Sequence, residues 1–168
     1  MAEFAHFEAR GEPPTSLCLR CFLVSEGEEG LLVGRVKRAA EWQDLEIAHG
    51  FDALLESGQW VLPASHLLVG ETPAAAARRI ATQQLGATSH ALKEASAFSH
   101  ISEQPGHASP PRWNLCFVFE AQVQLAGTPP WFDELKRIPL RYLNFDLFAP
   151  EHGFVAADMG LLPAGNGR

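Results

Sequence analysis

The sequence predicts an α+β fold in which a mixed β-sheet is sandwiched between helices, giving three layers in the order α/β/α. Residues 113–123 (WNLCFVFEAQV) are rich in aromatic and β-branched residues, which is typical of a strand. Residues 73–85 have the alanine content of a helix. Strand-like and helix-like segments alternate without a strict β-α-β rhythm, which favours a mixed sheet with helices packed on it.

Length and composition indicate one globular domain spanning residues 1–168. Hydrophobic residues make up 46% of the chain and charged residues 20%, which is the composition of a folded domain rather than of a disordered segment. No internal repeat and no second hydrophobic core are visible in the sequence. We therefore expect one core and one domain.

The acidic balance argues against nucleic acid as a partner, since nucleic-acid binding leaves a basic patch and this chain has a net charge of -7. A small nucleotide or phosphorylated ligand stays possible through a local cluster. No apolar stretch approaches the roughly 20 residues that span a bilayer, and the first residues lack the pattern of a secretory signal. Three cysteines do not suggest a disulfide framework, so we expect a cytoplasmic protein without membrane contact.

The elements of the first part follow from apolar runs and the residues that interrupt them. Residues 16–25 and 30–36 are apolar runs separated by Glu-Gly-Glu-Glu, which predicts a hairpin with an acidic tip. Residues 37–59 are polar and read as an insertion with a short helix at 51–56. Residues 60–63 form a short strand that ends at a proline.

The second part is predicted in the same way. The strong strand at 113–123 is preceded by a weaker one and by a loop with three prolines, and Gly-Thr-Pro-Pro breaks it at 127–130. The expected elements are a strand at 91–100, a loop at 100–111, a short helix at 131–136, a short strand at 137–143 and a helical region at 145–160.

Residues 60–87 (WVLPASHLLVGETPAAAARRIATQQLGA) form a strand, a loop and a capped helix. Thr72 suits the N-cap, Pro73 suits the first helical position and Gly86 suits the position after the helix. The local sequence therefore predicts a well-defined helix over 73–85.

The same segment resembles the box of the Nudix superfamily, whose pattern is G-x5-E-x7-R-E-U-x-E-E-x-G-U with U aliphatic. Glu71, Arg79 and Gly86 match the box glutamate, arginine and last glycine, and Trp60-x-Leu62-Pro63 matches the usual approach to it. The order of the other segments fits most of the chain, although residues 60–87 alone are specific. The resemblance implies the Nudix fold, and in the family the box binds the magnesium that bridges a diphosphate.

The box is degenerate at 65–87. Ser65 replaces its first glycine, and its three metal-binding glutamates correspond to Ile80, Gln83 and Gln84. At about 100° per residue these three positions share one helix face. Magnesium prefers carboxylate and water oxygens, so the sequence predicts that no metal binds there and that no cofactor is needed.

The remaining box residues have both structural and functional interpretations. In the family, Glu71 and Arg79 brace the metal site, and here we interpret them as holding the loop–helix–loop shape. Gln83 and Gln84 are either hydrogen-bond partners for a ligand or plain polar surface. Ile80 is expected to pack against its neighbours, and Arg78 to be a solvated charge.

Other candidate residues lie outside the box helix. Glu120 is the one candidate catalytic residue, because it occupies a position where some relatives carry an extra ligand or base. His66 and the pair Cys18 and Cys21 are interpreted as structural, and the apolar run 67–69 as packing inward or forming a subunit contact. Further candidates are the possible metal set His100, Glu103 and His107, and the replacement magnesium ligands Glu94, Glu103, Glu120 and Glu134.

The resulting hypothesis is a Nudix-fold protein that has lost metal-dependent pyrophosphohydrolase activity and binds a ligand or partner through the old cleft, with Glu71, Arg79, Gln83 and Gln84 as the remnant site. The alternative is a hydrolase of a nucleoside diphosphate linked to another group, with magnesium or manganese on non-standard ligands. A third interpretation is an architectural subunit with an interface at the 66–69 loop and the region of Trp131 and Phe132. A homodimer is expected.

Overall fold

The computed structural model describes residues 16–37, 58–102, 112–127, 129 and 131–162. Its strands are β1 (Ser16–Val24), β2 (Glu26–Gly27), β3 (Gly30–Val36), β4 (Ala64–His66), β5 (Ala87–Ser102), β6 (Arg112–Leu125) and β7 (Phe132–Ile138). Its α-helices are α1 (Pro73–Arg79), which continues as a π-helical turn over Ile80–Gln84, and α2 (Pro150–Asp158). Short 3-10 turns occur at Leu140–Tyr142 and Phe145–Leu147.

The strands form two sheets. The larger has the order β4-β1-β6-β5, in which β1 and β6 are parallel and the other pairs are antiparallel. The smaller has the order β2-β3-β7, with antiparallel pairs throughout. The predicted mixed sheet is therefore confirmed, and β6 is a central strand as its composition indicated.

Alternate residues of the central strands feed two apolar clusters on opposite faces of the larger sheet. Cys21 and Phe119 join Ala77 and Ile80 of the box helix in the first cluster. Phe22 and Val118 join Val155 of α2, among others, in the second cluster. The sheet thus lies between α1 and α2, because successive side chains of a strand point to opposite faces. This is the predicted α/β/α arrangement.

The predicted hairpin between residues 16–25 and 30–36 is wrong in its pairing. The chain reverses there, but β1 pairs with β4 and β6, whereas β3 pairs with β2 and β7. Gly30 makes the reversal possible: its φ is 118°, and a Cβ at this position would lie 2.1 Å from the Ile138 carbonyl oxygen. A side chain at residue 30 would therefore disrupt the contact between β3 and the end of β7.

The predictions for residues 131–143 are also wrong. The expected helix at 131–136 is part of β7, and the expected strand at 137–143 ends at Ile138 before a 3-10 turn. The run FDELKRI contains good helix formers, but its pairing with β3 decides its conformation. Residues 60 and 61 form single bridges rather than a full strand.

Two further predictions fall partly outside the described residues. The expected insertion at 37–59 has its proposed helix, 51–56, in that part of the chain. The expected loop at 100–111 begins later than predicted, since His100 is still in β5, and residues 103–111 lie outside the description. No helix among the described residues is long and apolar enough to cross a membrane.

Candidate functional site: the degenerate box

The approach to the box helix is set by local backbone interactions. The Thr72 hydroxyl oxygen accepts a hydrogen bond from the Ala75 amide at 3.2 Å, and Pro73 occupies the start of α1. Gly70 has a φ of 80°, which favours glycine at the turn before the helix. The predicted capped helix is thereby confirmed at its first turn.

Glu71 and Arg79 form a closed ion pair across the loop. Arg79 donates from Nε to Glu71 Oε1 and from Nη2 to Glu71 Oε2, each at 2.8 Å. Glu71 Oε2 also accepts from the Leu68 amide at 2.9 Å. The hydrogen bonds from Arg79 hold the pKa of the Glu71 carboxyl below its usual value, and the same bonds raise the pKa of Arg79.

The rest of the Arg79 guanidinium is bound to the strand before the loop. Nη1 donates to Ser65 Oγ at 3.0 Å, and Nη2 donates to the His66 carbonyl oxygen at 2.8 Å. All three guanidinium nitrogens therefore contact the chain itself. This agrees with a brace for the loop–helix–loop shape and leaves Arg79 poorly placed to bind a phosphate.

The three positions that correspond to metal ligands differ in burial. Leu85 donates its amide hydrogen to the Ile80 carbonyl five residues earlier, at 3.1 Å, so the last turn is π-helical. Ile80 is 1% exposed in the first cluster and Gln84 is 5% exposed, whereas Gln83 faces solvent. Two of the three positions are therefore closed to solvent and one is open to it.

Gln84 ties the box helix to β4. Its Nε2 donates to the Ala64 carbonyl oxygen at 2.6 Å, while its Oε1 is buried without a hydrogen-bond partner among the described residues. The Gln83 carbonyl oxygen accepts from Trp131 Nε1 at 2.9 Å. Gln84 is thus a buried link with one unused acceptor, and the main chain of Gln83 is held by the segment before β7.

These residues do not fit a magnesium ion. Ile80 supplies no oxygen, and Gln84 supplies one neutral oxygen in place of a carboxylate. Magnesium demands hard oxygen ligands in an octahedral arrangement and gains little from a neutral amide. Within the described ranges, no group of three or more His, Cys, Asp or Glu side chains is placed to hold a metal.

Glu120 is on the opposite side of the sheet from the box helix. Phe119 and Ala121 belong to the first cluster, on the face of the larger sheet that packs against α1. The intervening Glu120 therefore points to the face that packs against α2, where its carboxylate lies 3.4 Å from Lys93 Nζ. Both side chains are largely exposed. Glu120 therefore does not reach the box, contrary to the role proposed for it from the sequence.

The other candidate carboxylates are dispersed. Glu94 is the register partner of Phe119 and so lies on the α1 face of β5, exposed. Glu134 contacts Lys136 and Arg35 in the smaller sheet. Glu103 and His107 are outside the described residues. Among the candidate carboxylates that the structure describes, Glu94 alone lies on the same face as the box helix.

The remaining predicted residues have structural positions. His66 ends β4, and its carbonyl oxygen is used by Arg79. Arg78 is exposed as expected. Cys18 is partly buried and Cys21 is buried, both as free thiols, and burial raises the pKa of Cys21 to about 12. Leu67 packs against the first cluster, whereas Leu68 and Val69 are exposed.

A separate cavity lies on the other side of the molecule. Its volume is about 460 Å³, and it is bordered by the ends of β1, β5 and β6 and by the residues that follow α2. No box residue lines it; among its polar lining residues are Glu26, Lys93 and Glu120. No pattern in the sequence indicates this cavity, because its lining comes from four separate segments.

Solved structures resemble this fold. The "MutT protein from Methanosarcina mazei Go1" has a TM-score of 0.52 and 13% identity, covering 89% of this chain and 97% of that one. The "MutT NUDIX hydrolase from Burkholderia pseudomallei" has a TM-score of 0.48 and 17% identity, covering 76% of this chain and 87% of that one. No protein-family profile matches the sequence, and no curated protein sequence matches it.

The fold is therefore the Nudix fold, as the residues at 60–87 predicted. The mixed sheet between two helices and the position of the braced helix on one sheet face agree with that assignment.

Proposed function

We propose that this chain is a Nudix-superfamily protein that no longer hydrolyses diphosphates with a metal and instead binds a ligand or partner through the box region. The supporting observation is the environment of the three box positions that correspond to metal ligands. Ile80 belongs to the core, Gln84 is bound to the Ala64 carbonyl and Gln83 faces solvent. The brace of Glu71 and Arg79 keeps the loop shape without a metal.

The ligand class we propose is a small nucleotide or phosphorylated compound, bound without a metal. Gln84 Oε1 is a buried acceptor that has no donor in the described part of the chain. A buried polar atom of this kind is normally satisfied by a ligand or water. A base or sugar that donates a hydrogen bond to this oxygen would satisfy it once the side chain turns to expose it. Arg78, exposed on the box helix, is a cation for a phosphate that is not part of the Glu71–Arg79 brace.

A thermal-shift screen of nucleotides and sugar nucleotides tests this proposal. Binding to the native state at a hundredfold excess over Kd stabilises it by about 2.7 kcal/mol, which raises Tm by several degrees. We expect the same rise with and without magnesium, because the proposed site does not use a metal. A rise that requires magnesium or manganese would contradict the proposal.

Two variants locate the binding site. Gln84→Met is expected to remove the ligand-induced shift, since it deletes the unused acceptor, whereas Lys93→Gln in the separate cavity is expected to keep it. The ligand-induced change in Tm is compared within each variant, so a lower starting Tm does not affect the result. If Lys93→Gln alone removed the shift, the ligand would occupy the cavity rather than the box.

We further propose a homodimer that uses the exposed loop after β4. Leu68 is 52% exposed and Val69 is fully exposed. The Leu67 amide donates a hydrogen bond to the Leu19 carbonyl oxygen, which places the loop beside Leu19, another exposed leucine. Phe132, which the sequence-based interface includes, is buried in the core and does not belong to the interface.

Sedimentation velocity at micromolar concentration tests the homodimer. We expect a dimer for the wild-type chain and a monomer for Val69→Asp, because a charge on this apolar surface opposes association. Glu29→Lys, on the exposed turn between β2 and β3, is a control expected to remain dimeric. A wild-type monomer at all accessible concentrations would contradict this part of the proposal.

A further inference from the structure

The first turn of α2 is attached to the larger sheet through a half-buried ion pair. Arg20 on β1 contacts Glu151 on α2, and their side chains are 15% and 26% exposed. On β5, His100 Nε2 lies 3.7 Å from Glu151 Oε1 and 3.4 Å from Asn114 Nδ2. We call the group Arg20, His100, Asn114, Glu151 and His152 the α2 junction.

His152 attaches the same turn of α2 to the segment that precedes β4. It is 3% exposed, and its Nδ1 accepts the Leu62 amide hydrogen at 3.0 Å. Because Nδ1 is the acceptor, the neutral ring carries its proton on Nε2. The ring also packs edge-on against Phe22, with 5.2 Å between ring centroids.

Among the described residues, three buried nitrogen atoms of the junction make no hydrogen bond. Arg20 Nε, His100 Nδ1 and His152 Nε2 are buried and have no hydrogen-bond partner among the described residues. Within those residues, Glu151 is the carboxylate that contacts both Arg20 and His100. An added proton on either ring would place a second positive charge near Arg20, and the part of the chain that the structure describes offers no second carboxylate to balance it.

The other titratable groups near Arg20 do not supply that balance. The thiols of Cys18 on β1 and Cys116 on β6 lie close enough to interact with its charge. Burial raises the pKa of Cys116 to about 11, so this thiol stays neutral at physiological pH. Asp158, at the far end of α2, accepts a hydrogen bond from Ser96 instead.

We propose that the α2 junction is an acid-sensitive latch, in which protonation of His100 or His152 releases the first turn of α2 from the sheet. Release of His152 frees the Leu62 amide. Each of the three residues that follow Leu62 accepts a hydrogen bond: Pro63 from the Leu23 amide, Ala64 from the Gln84 side chain and Ser65 from the Arg79 side chain. The latch therefore connects α2 to the strand that leads into the box.

The direction of the pH effect follows from burial. Desolvation lowers the pKa of His152 to about 3, and desolvation followed by the charge of Arg20 lowers the pKa of His100. In the released state both rings regain a pKa near 6.5. The latch is thus fully closed above about pH 6.5 and loses stability as the pH falls toward 3, since only the released state takes up protons there.

Hydrogen–deuterium exchange of the full chain between pH 7.5 and 5.0 tests this proposal, after correction for the intrinsic exchange rate. Each histidine that is protonated only in the released state raises the opening constant about tenfold per pH unit below 6.5. We expect the amides of α2 to show this increase, which reaches up to a hundredfold per pH unit if both histidines contribute. The amides of α1 are expected not to show it. Equal changes in α1 and α2, or none in α2, would overturn the latch.

Variants distinguish the effect of the histidine rings on α2 exchange from a non-specific effect of low pH on the whole fold. His100→Gln is expected to reduce the pH slope of α2 exchange by up to one power of ten per unit, and Glu151→Gln to accelerate α2 exchange already at pH 7.5. His90→Gln is the matched control, because His90 lies on the same strand opposite Val123 and therefore on the α1 face. An unchanged α2 slope in His100→Gln together with an unchanged rate in Glu151→Gln would contradict the proposal.

Discussion

The purified protein is expected to leave nucleoside diphosphates linked to another group uncleaved above background, with either magnesium or manganese. A catalytic metal activates water and stabilises the leaving phosphate, and each of these effects is worth several kcal/mol of barrier. Since each 1.4 kcal/mol changes the rate about tenfold, a box without metal ligands should be slower by on the order of a thousandfold or more. Cleavage of the diphosphate would give a nucleoside monophosphate and the phosphorylated second group, and an assay coupled to a phosphatase that releases phosphate from these products measures the rate.

Two variants test whether a carboxylate outside the box binds a catalytic metal. Glu94→Gln changes the exposed carboxylate on the α1 face, and Glu120→Gln changes the one on the α2 face. Neither is expected to alter the background rate. Robust metal-dependent turnover by the wild type would contradict the proposed function, and its loss in Glu94→Gln would indicate a relocated metal site beside the box helix.

The features that local sequence determines were predicted well. The capped start of α1 and the aromatic strand β6 both depend on residues within a few positions of each other, so short-range patterns were sufficient. The contact of Glu71 with Arg79 came from the family resemblance instead, because eight residues of loop and helix separate the two side chains.

Features that depend on tertiary pairing were missed. The residues of β7 favour a helix when read locally, and only their register with β3 makes them a strand. The π-helical turn after Arg79 was likewise not indicated by any pattern in the sequence. Arg20 and Glu151 meet across more than a hundred residues of chain, so nothing local could connect them.

Burial of residue 80 is the observation on which the non-catalytic interpretation most depends, and it has a direct consequence for stability. Ile80→Glu restores the family's residue at this position but places a carboxylate in a cluster formed by Cys21, Ala77 and Leu85, among others. An uncompensated buried charge costs about 3–5 kcal/mol. For a chain of this size that corresponds to a fall in Tm on the order of 10 °C.

The pH dependence of this cost distinguishes a buried carboxylate from poor packing alone. Burial should raise the pKa of a glutamate at residue 80 above its unfolded value near 4.3, so the ionic part of the cost is present at neutral pH and disappears as the pH falls below that value. The difference in Tm between wild type and Ile80→Glu should therefore shrink toward acid pH. Ile80→Gln should show a difference that does not change with pH.

Gln83→Glu provides the exposed comparison on the same helical turn. Its side chain faces solvent, so the variant is expected to stay within about 0.5 kcal/mol of the wild type. Thermal unfolding of the three variants, followed by circular dichroism, gives the needed values. If Ile80→Glu proved as stable as Gln83→Glu at neutral pH, residue 80 would be accessible to water, and a glutamate there could again take part in a metal site.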